Sequence, residues 1–206
     1  MFEHYFEAAP DCTVQPGAQV GLKYKEGCGP AVFGAHARIR SGTVIYGDVA
    51  AGDHFETGHH ALIRAGTIMG DHVTIGTNVV IDGEVRIGSF VKIEANCYIP
   101  THCTIGNRVF LGPNVTILND RYPLRMRQSY KPEGCVIEDN ATIGGGAVLL
   151  PGVRIGARSF IAAGAVVTKN VPSGKLVVGV PGDIRALPER LRGPNMALSW
   201  MAYLSE

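Results

Sequence analysis

A large, mostly aliphatic residue recurs at every sixth position along most of this chain. From Phe33 the series runs Phe33, Ile39, Ile45, Ala51, Thr57, Ile63, Met69, Ile75, Ile81, Ile87, Ile93, Ile99, Ile105, Leu111 and Ile117. It slips by two residues and resumes at Ile137, Ile143, Leu149, Ile155, Ile161 and Val167. Two positions earlier stands a smaller group: Val73, Val79, Val85, Val91, Cys97, Cys103, Val109 and Val115, then Cys135, Ala141, Ala147 and Val153. Side chains two apart share one face of a strand. The spacing therefore predicts short strands, each burying one large and one small residue. Three residues after the large position come His36, Gly42, Asp48, His54, His60, Gly66, His72 and Asn78, and later Asn96, His102, Asn114, Asn140, Gly146, Gly152, Gly164 and Asn170. These residue types best tolerate φ > 0, so a left-handed backbone corner is predicted at one fixed phase. Three hexads per turn give about seven coils of a triangular prism, stacked about 4.8 Å apart.

Composition changes this picture little. The chain has 206 residues, 46% apolar and 18% charged, with 19 basic against 18 acidic side chains. Such a balance argues against an electrostatic nucleic-acid or membrane partner. There is no apolar run of the roughly 18 residues a membrane helix needs, and MFEHYFEAAPDC lacks a secretory pattern. Five cysteines without a C-x-x-C pair point to a reducing compartment and no zinc cage. A cytoplasmic protein is expected. The 27 glycines answer the demand for corners.

The same phase explains most candidate chemistry. His36, His54, His60, His72 and His102 fall on corners, and Cys97, Cys103 and Cys135 fall inside as core filler. Asn78, Asn96 and Asn114, eighteen apart, should form an amide ladder. Three segments leave the pattern. Residues 1–29 read as an N-terminal cap, with 10–29 an irregular capping coil whose Val14 and Val20 repeat in another phase. Residues 183–206 read as a turn and short helix, with Trp200, Met201, Tyr203 and Leu204 free to pack. Residues 118–134 form a loop excursion with basic residues 121, 125, 127 and 131 and tyrosines 122 and 130, and such loops concentrate function.

The hexad pattern, over about residues 30–182, resembles the hexapeptide-repeat left-handed parallel β-helix of the hexapeptide acyltransferases. The left hand is what the resemblance implies, since the usual crossover rule favours the right. In the zinc-using γ-class carbonic anhydrases of this fold, a G-H-x-x-x-x-H segment supplies ligands. Here Gly58-His59-His60 begins correctly, but Arg64 stands in the second place, and a guanidinium does not ligate zinc as imidazole does. No metal is expected. The segment from Leu111 to Pro123 is similar to that of galactoside and maltose O-acetyltransferases, yet Tyr122 stands where they carry a catalytic histidine. It more closely resembles sugar-nucleotide N-acetyltransferases, matching their G-P-x-x-x-x-x-N and proline at Gly112, Pro113, Asn119 and Pro123.

That resemblance implies a homotrimer with acetyl-CoA in the groove between subunits. It places Asn119 at the reacting amine. His102, Asp120 and Glu94 are candidate proton acceptors, with Glu84, His102 and Asp120 eighteen apart on one edge. Arg64, Glu84, Asn96, Arg121 and Tyr122 are candidate acceptor-binding residues. Gly144 and Gly145, then Ala162 and Ala163, offer a surface of small residues to a pantetheine arm. Pro181 belongs to a G-x-P terminus, and Lys169 and Arg185 suit the cofactor's phosphates. The expectation is an acetyl-CoA-dependent N-acetyltransferase of a nucleotide-linked amino sugar. O-acetyl transfer to a sugar, antibiotic or serine, and a non-catalytic scaffold, are the alternatives.

Overall fold

The computed structural model describes residues 5–195. They form a three-sided parallel β-helix with two short 3-10 turns, Arg127–Ser129 and Glu189–Leu191. Every third strand stacks into the same sheet. Face one runs from Phe6–Ala8 to Arg154–Ile155, face two from Thr13–Val14 through Phe160–Ile161 and Lys175–Val178 to Asp183–Ala186, and face three from Gln19–Leu22 to Val166–Val167. Within each face equivalent residues pair directly, as in Val80↔Tyr98 and Ile81↔Ile99.

The predicted inward positions are inward. Ile45, Ile63, Ile75, Ile81, Ile93, Ile99, Leu111, Ile117 and Ile143 are all fully buried, as are the small partners Val79, Val85, Val109 and Ala147. Burying each isoleucine contributes about 1.5–3 kcal/mol. One coil inverts the size order: Phe55 fills the small position and Thr57 the large one, and the Phe55 ring stacks on Phe33 at 5.7 Å. The Thr57 hydroxyl is satisfied inside by the Arg40 backbone N–H, at 3.0 Å. The corners also hold. Every residue in the predicted phase from His36 to Gly164 has φ between 52° (Glu84) and 75° (Gly42), including the less tolerant Phe90, Arg108 and Arg158. Asn170 does not.

Both ends differ from the expectation. The N-terminal capping coil is more regular than expected and starts earlier: Phe6–Ala8, Thr13–Val14 and Gln19–Leu22 pair with Ala31–Phe33, Arg38–Ile39 and Val44–Tyr46. Each of faces one and three consequently has eight strands, one coil more than expected. A register shift between Val20 and Leu22 put this coil out of the six-residue phase. At the other end, Asp183–Ala186 is a strand, antiparallel to Lys175–Val178 on face two, where a turn and helix were expected. Trp200, Met201, Tyr203 and Leu204 lie outside the described residues.

Candidate active site

The three corner columns bound the faces, and the candidates divide between two of them. Asp48, Gly66, Glu84 and His102 descend the column between faces three and one. The excursion leaves the prism from this column after Thr116–Ile117 and returns before Val136–Ile137. Its base is closed by the Glu133 N–H, which donates to the Asn119 carbonyl at 2.9 Å. Arg121 fastens it further, donating to the Pro151 carbonyl at 2.8 Å and lying 3.7 Å from Glu133. Tyr122 is exposed on the loop. It lines, with Leu124, Met126, Arg127, Tyr130 and Lys131, a loop cavity of about 490 Å³.

Asn119 sits where the chain leaves the prism. Its Nδ2 donates to the Thr101 hydroxyl at 3.0 Å. That bond fixes the amide and turns Oδ1, which has no partner among the described residues, into an available acceptor. Thr101 precedes His102, whose Nδ1 lies 3.2 Å from Glu84 Oε2. A proton on Nδ1 facing that carboxylate leaves Nε2 with the lone pair. The structure thus links Asn119, Thr101, His102 and Glu84 in one half-exposed cluster. Thr101 was missed by the sequence reading, although it stands eighteen residues before Asn119, the stacking interval.

Asp120 does not extend the Glu84–His102 column. Its Oδ1 instead accepts from the Tyr122 N–H at 2.9 Å, turning the loop. The residue stacked on His102 is Gly134, in line with the Thr104↔Val136 register. The interval of eighteen ceases to mark neighbours where the loop enters.

Glu94 and Asn96 lie on a different column, between faces two and three. Glu94 pairs with Lys92 at 2.9 Å, and Asn96 accepts from Asn78 Nδ2 at 3.2 Å. Gly144, Gly145, Ala162 and Ala163 follow on this column. Coil stacking already accounts for Gly144, because an added Cβ there would collide with Ala162 and Ala163 backbone; Gly145 is close to the Pro113 carbonyl. Outward of them, Gly146 and Gly164 open to free space. Pro181, after a cis peptide bond with Val180, belongs to a turn whose Gly182 N–H donates to the Val166 carbonyl at 2.8 Å. Lys169 is exposed on the column that carries His102, and Arg185 on the terminal hairpin pairs with Asp183 at 2.8 Å. The cofactor candidates therefore do not share one edge.

The buried cysteines are structural. Burial pushes the Cys97, Cys103 and Cys135 thiols up to about 11, about 12 and about 11, so they stay protonated. Arg64 is bound to Asp82 at 2.6 Å. Among the described residues no group of three or more His, Cys, Asp or Glu could hold a metal ion, and no helix is long and apolar enough to cross a membrane.

The bacterial transferase hexapeptide family matches residues 84–119 and 134–169, breaking off where the excursion does. The hexapeptide repeat of succinyl-transferase matches residues 66–100. The chain is a hexapeptide-repeat left-handed β-helix. The fold is similar to that of a Francisella novicida UDP-N-acetylglucosamine acyltransferase, with a TM-score of 0.62 over 93% of this chain and 72% of that one, at 19% identity. A Lactococcus lactis galactoside O-acetyltransferase is 43% identical over 35% of this chain and 37% of its own length. A Clostridium perfringens 2,3,4,5-tetrahydropyridine-2,6-dicarboxylate N-acetyltransferase is 52% identical over 24% of this chain and 21% of its own. The hexapeptide-repeat chain thus spans between 21% and 37% of the length of these curated relatives, which include both O- and N-transfer.

Proposed function

We propose that this hexapeptide-repeat protein is an acetyl-CoA-dependent N-acetyltransferase whose acceptor is an amino sugar, nucleotide-linked. The observation that carries the reading is Asn119: with Nδ2 held by Thr101, its Oδ1 can accept a hydrogen bond from an acceptor amine. The neutral amine attacks the thioester carbonyl, forming the N–C bond. The tetrahedral adduct expels the CoA thiolate, which takes up a proton. The proton lost by nitrogen passes to His102 Nε2, whose imidazolium Glu84 stabilises. Proximity supplies much of the acceleration, the amine attacking the thioester directly.

Asn119 and the small-residue surface at Ala162, Ala163 and Gly164 border opposite sides of face three. A groove between copies would bring one copy's amine site to another's thioester, and this supports a homotrimer. The outward residues of face three favour it: Val44, Leu62, Val80, Val148 and Val166, with Tyr98 and Thr116 between them, make the flank largely apolar. Lys169 and Arg185 would then meet the CoA phosphates. A cytoplasmic location, where acetyl-CoA is available, belongs to the same reading.

The test is acetyl-CoA turnover, followed by thiol release, with UDP- and dTDP-linked amino sugars and their hydroxyl counterparts, the acetylated atom being located by mass spectrometry. Amide products support N-transfer. Ester products alone would establish O-transfer, and failure to bind CoA in calorimetry would leave a scaffold.

A further inference from the structure

We propose that the cavity beside Thr101, walled by Tyr24, Tyr46, Asp48, Arg64, Asp82 and Glu84, is the acceptor subsite, and that it takes an amine-bearing, hydroxyl-rich ring while keeping phosphate outside. The proposal rests on the acetyltransferase reading above and specifies its substrate.

The space is of ligand size, about 550 Å³. It lies between the segment following the first coil, which supplies Tyr24 and Lys25, and the column of Asp48, Gly66 and Glu84. Three carboxylates face two cations, and both cations are engaged. Arg64 holds Asp82 at 2.6 Å and covers the Tyr46 ring at 5.8 Å, while Lys25 lies 5.2 Å over the Tyr24 ring. Asp48 accepts from the Tyr24 hydroxyl at 2.8 Å and the Gly29 N–H at 2.7 Å, and these bonds keep its carboxyl below the usual carboxylate range. Among the described residues Asp82 Oδ2 has only the Tyr98 hydroxyl, at 3.4 Å. An entering ammonium or hydroxyl donor finds carboxylate acceptors, whereas a phosphate meets like charge.

Continuity fixes which end of the acceptor enters. Thr101, part of the cavity wall, holds Asn119, and Glu84, another part, holds His102. A ring seated here presents its amine to Asn119 Oδ1 and His102. The next residue, Asp120, already lines the loop cavity with Arg121, Arg127 and Lys131. The positive charge that would meet an attached phosphate therefore stands on the far side of Asn119.

The test measures binding of glucosamine, glucose and glucuronate to the full chain by ligand-observed NMR. Glucosamine should bind best and glucuronate worst, with about 100-fold between them. Asp82→Asn should reduce that preference about tenfold or more, as expected when a charge-assisted bond becomes a neutral one. Tyr24→Ala, at an exposed rim position, should weaken glucosamine and glucose alike. No detectable glucosamine binding, glucuronate binding as well as glucosamine, or a preference untouched by Asp82→Asn overturns the assignment. CoA calorimetry on the same samples separates the two readings. CoA binding with a failed sugar ranking removes the subsite alone, whereas an intact ranking without CoA binding removes the acetyltransferase reading alone.

Discussion

Two corner columns of this prism carry histidines in the same backbone conformation and put them in different surroundings. Between faces one and two, His36, His54, His72 and Phe90 stack with ring centroids 4.5, 4.5 and 4.8 Å apart, and Arg108 closes the column 4.9 Å over Phe90. Between faces three and one, His102 has a carboxylate on one side and the excursion on the other. The φ angles of His72 and His102 are 55° and 64°. The corner selects residues that accept that backbone; what lies one coil away decides whether the imidazole is packing or chemistry. His72 shows the packing outcome, with Nδ1 buried and without a hydrogen-bond partner among the described residues.

A change in the shared core should erase the contrast. Ile99→Ala, at a fully buried position, should cost about 2–5 kcal/mol in chemical denaturation, with both columns melting together. Next in size, Asn119→Ala should lower kcat about 100- to 1000-fold, the range for removing one positioned polar group at a reacting centre. Steady-state kinetics check this, and an unchanged kcat would remove Asn119 from the mechanism.

His102→Ala should cost no more than about 100-fold, the low end for general-base catalysis, because water can accept a proton from an amine adduct. Loss of nearly all turnover would instead favour a hydroxyl acceptor. The matching change on the other column, His54→Asn, should leave turnover unaltered and so sharpen the comparison.

The smallest effect is on stability. His72→Phe removes the orphaned nitrogen and repeats what Phe90 does one coil below, so melting should rise by a few degrees, corresponding to about 1 kcal/mol. Burial, then the neighbouring His54, holds the His72 imidazole below its ordinary 6.5, against the pull of Asp71 and Asp53. The unfolded chain therefore binds the proton first on acidification. This contribution is fully present above about pH 6.5 and is lost as pH falls through the folded value. Thermal melts from pH 7 to 5 should show a smaller acid loss in His72→Phe than in the parent chain.

Much of this was legible in the six-residue pattern, and the exceptions have identifiable causes. Core and corner positions could be read because each depends on spacing within a single coil. Asn119 could be singled out by resemblance, but Thr101 required knowing which coil lies beneath it. Asp120 was misplaced because the stacking interval grows from 18 to 32 residues across the excursion, as the Thr104↔Val136 pair shows. The first coil was legible only as an irregular cap, because the shift between Val20 and Leu22 sets Val14 and Val20 in another phase. Arg121 looked like a free binding group, yet Pro151 and Glu133, distant in sequence, engage it.

The sequence by itself determined the prism: alternation and positive-φ residues are local demands, met within each hexad whatever surrounds it. Tertiary structure alone decided the polar partners wherever the interval is not eighteen. Arg121 meets Pro151 and Glu133, and Gly134 rather than Asp120 stacks on His102. Register joins the coils, and because register depends on the length of every intervening turn, no six-residue window contains it.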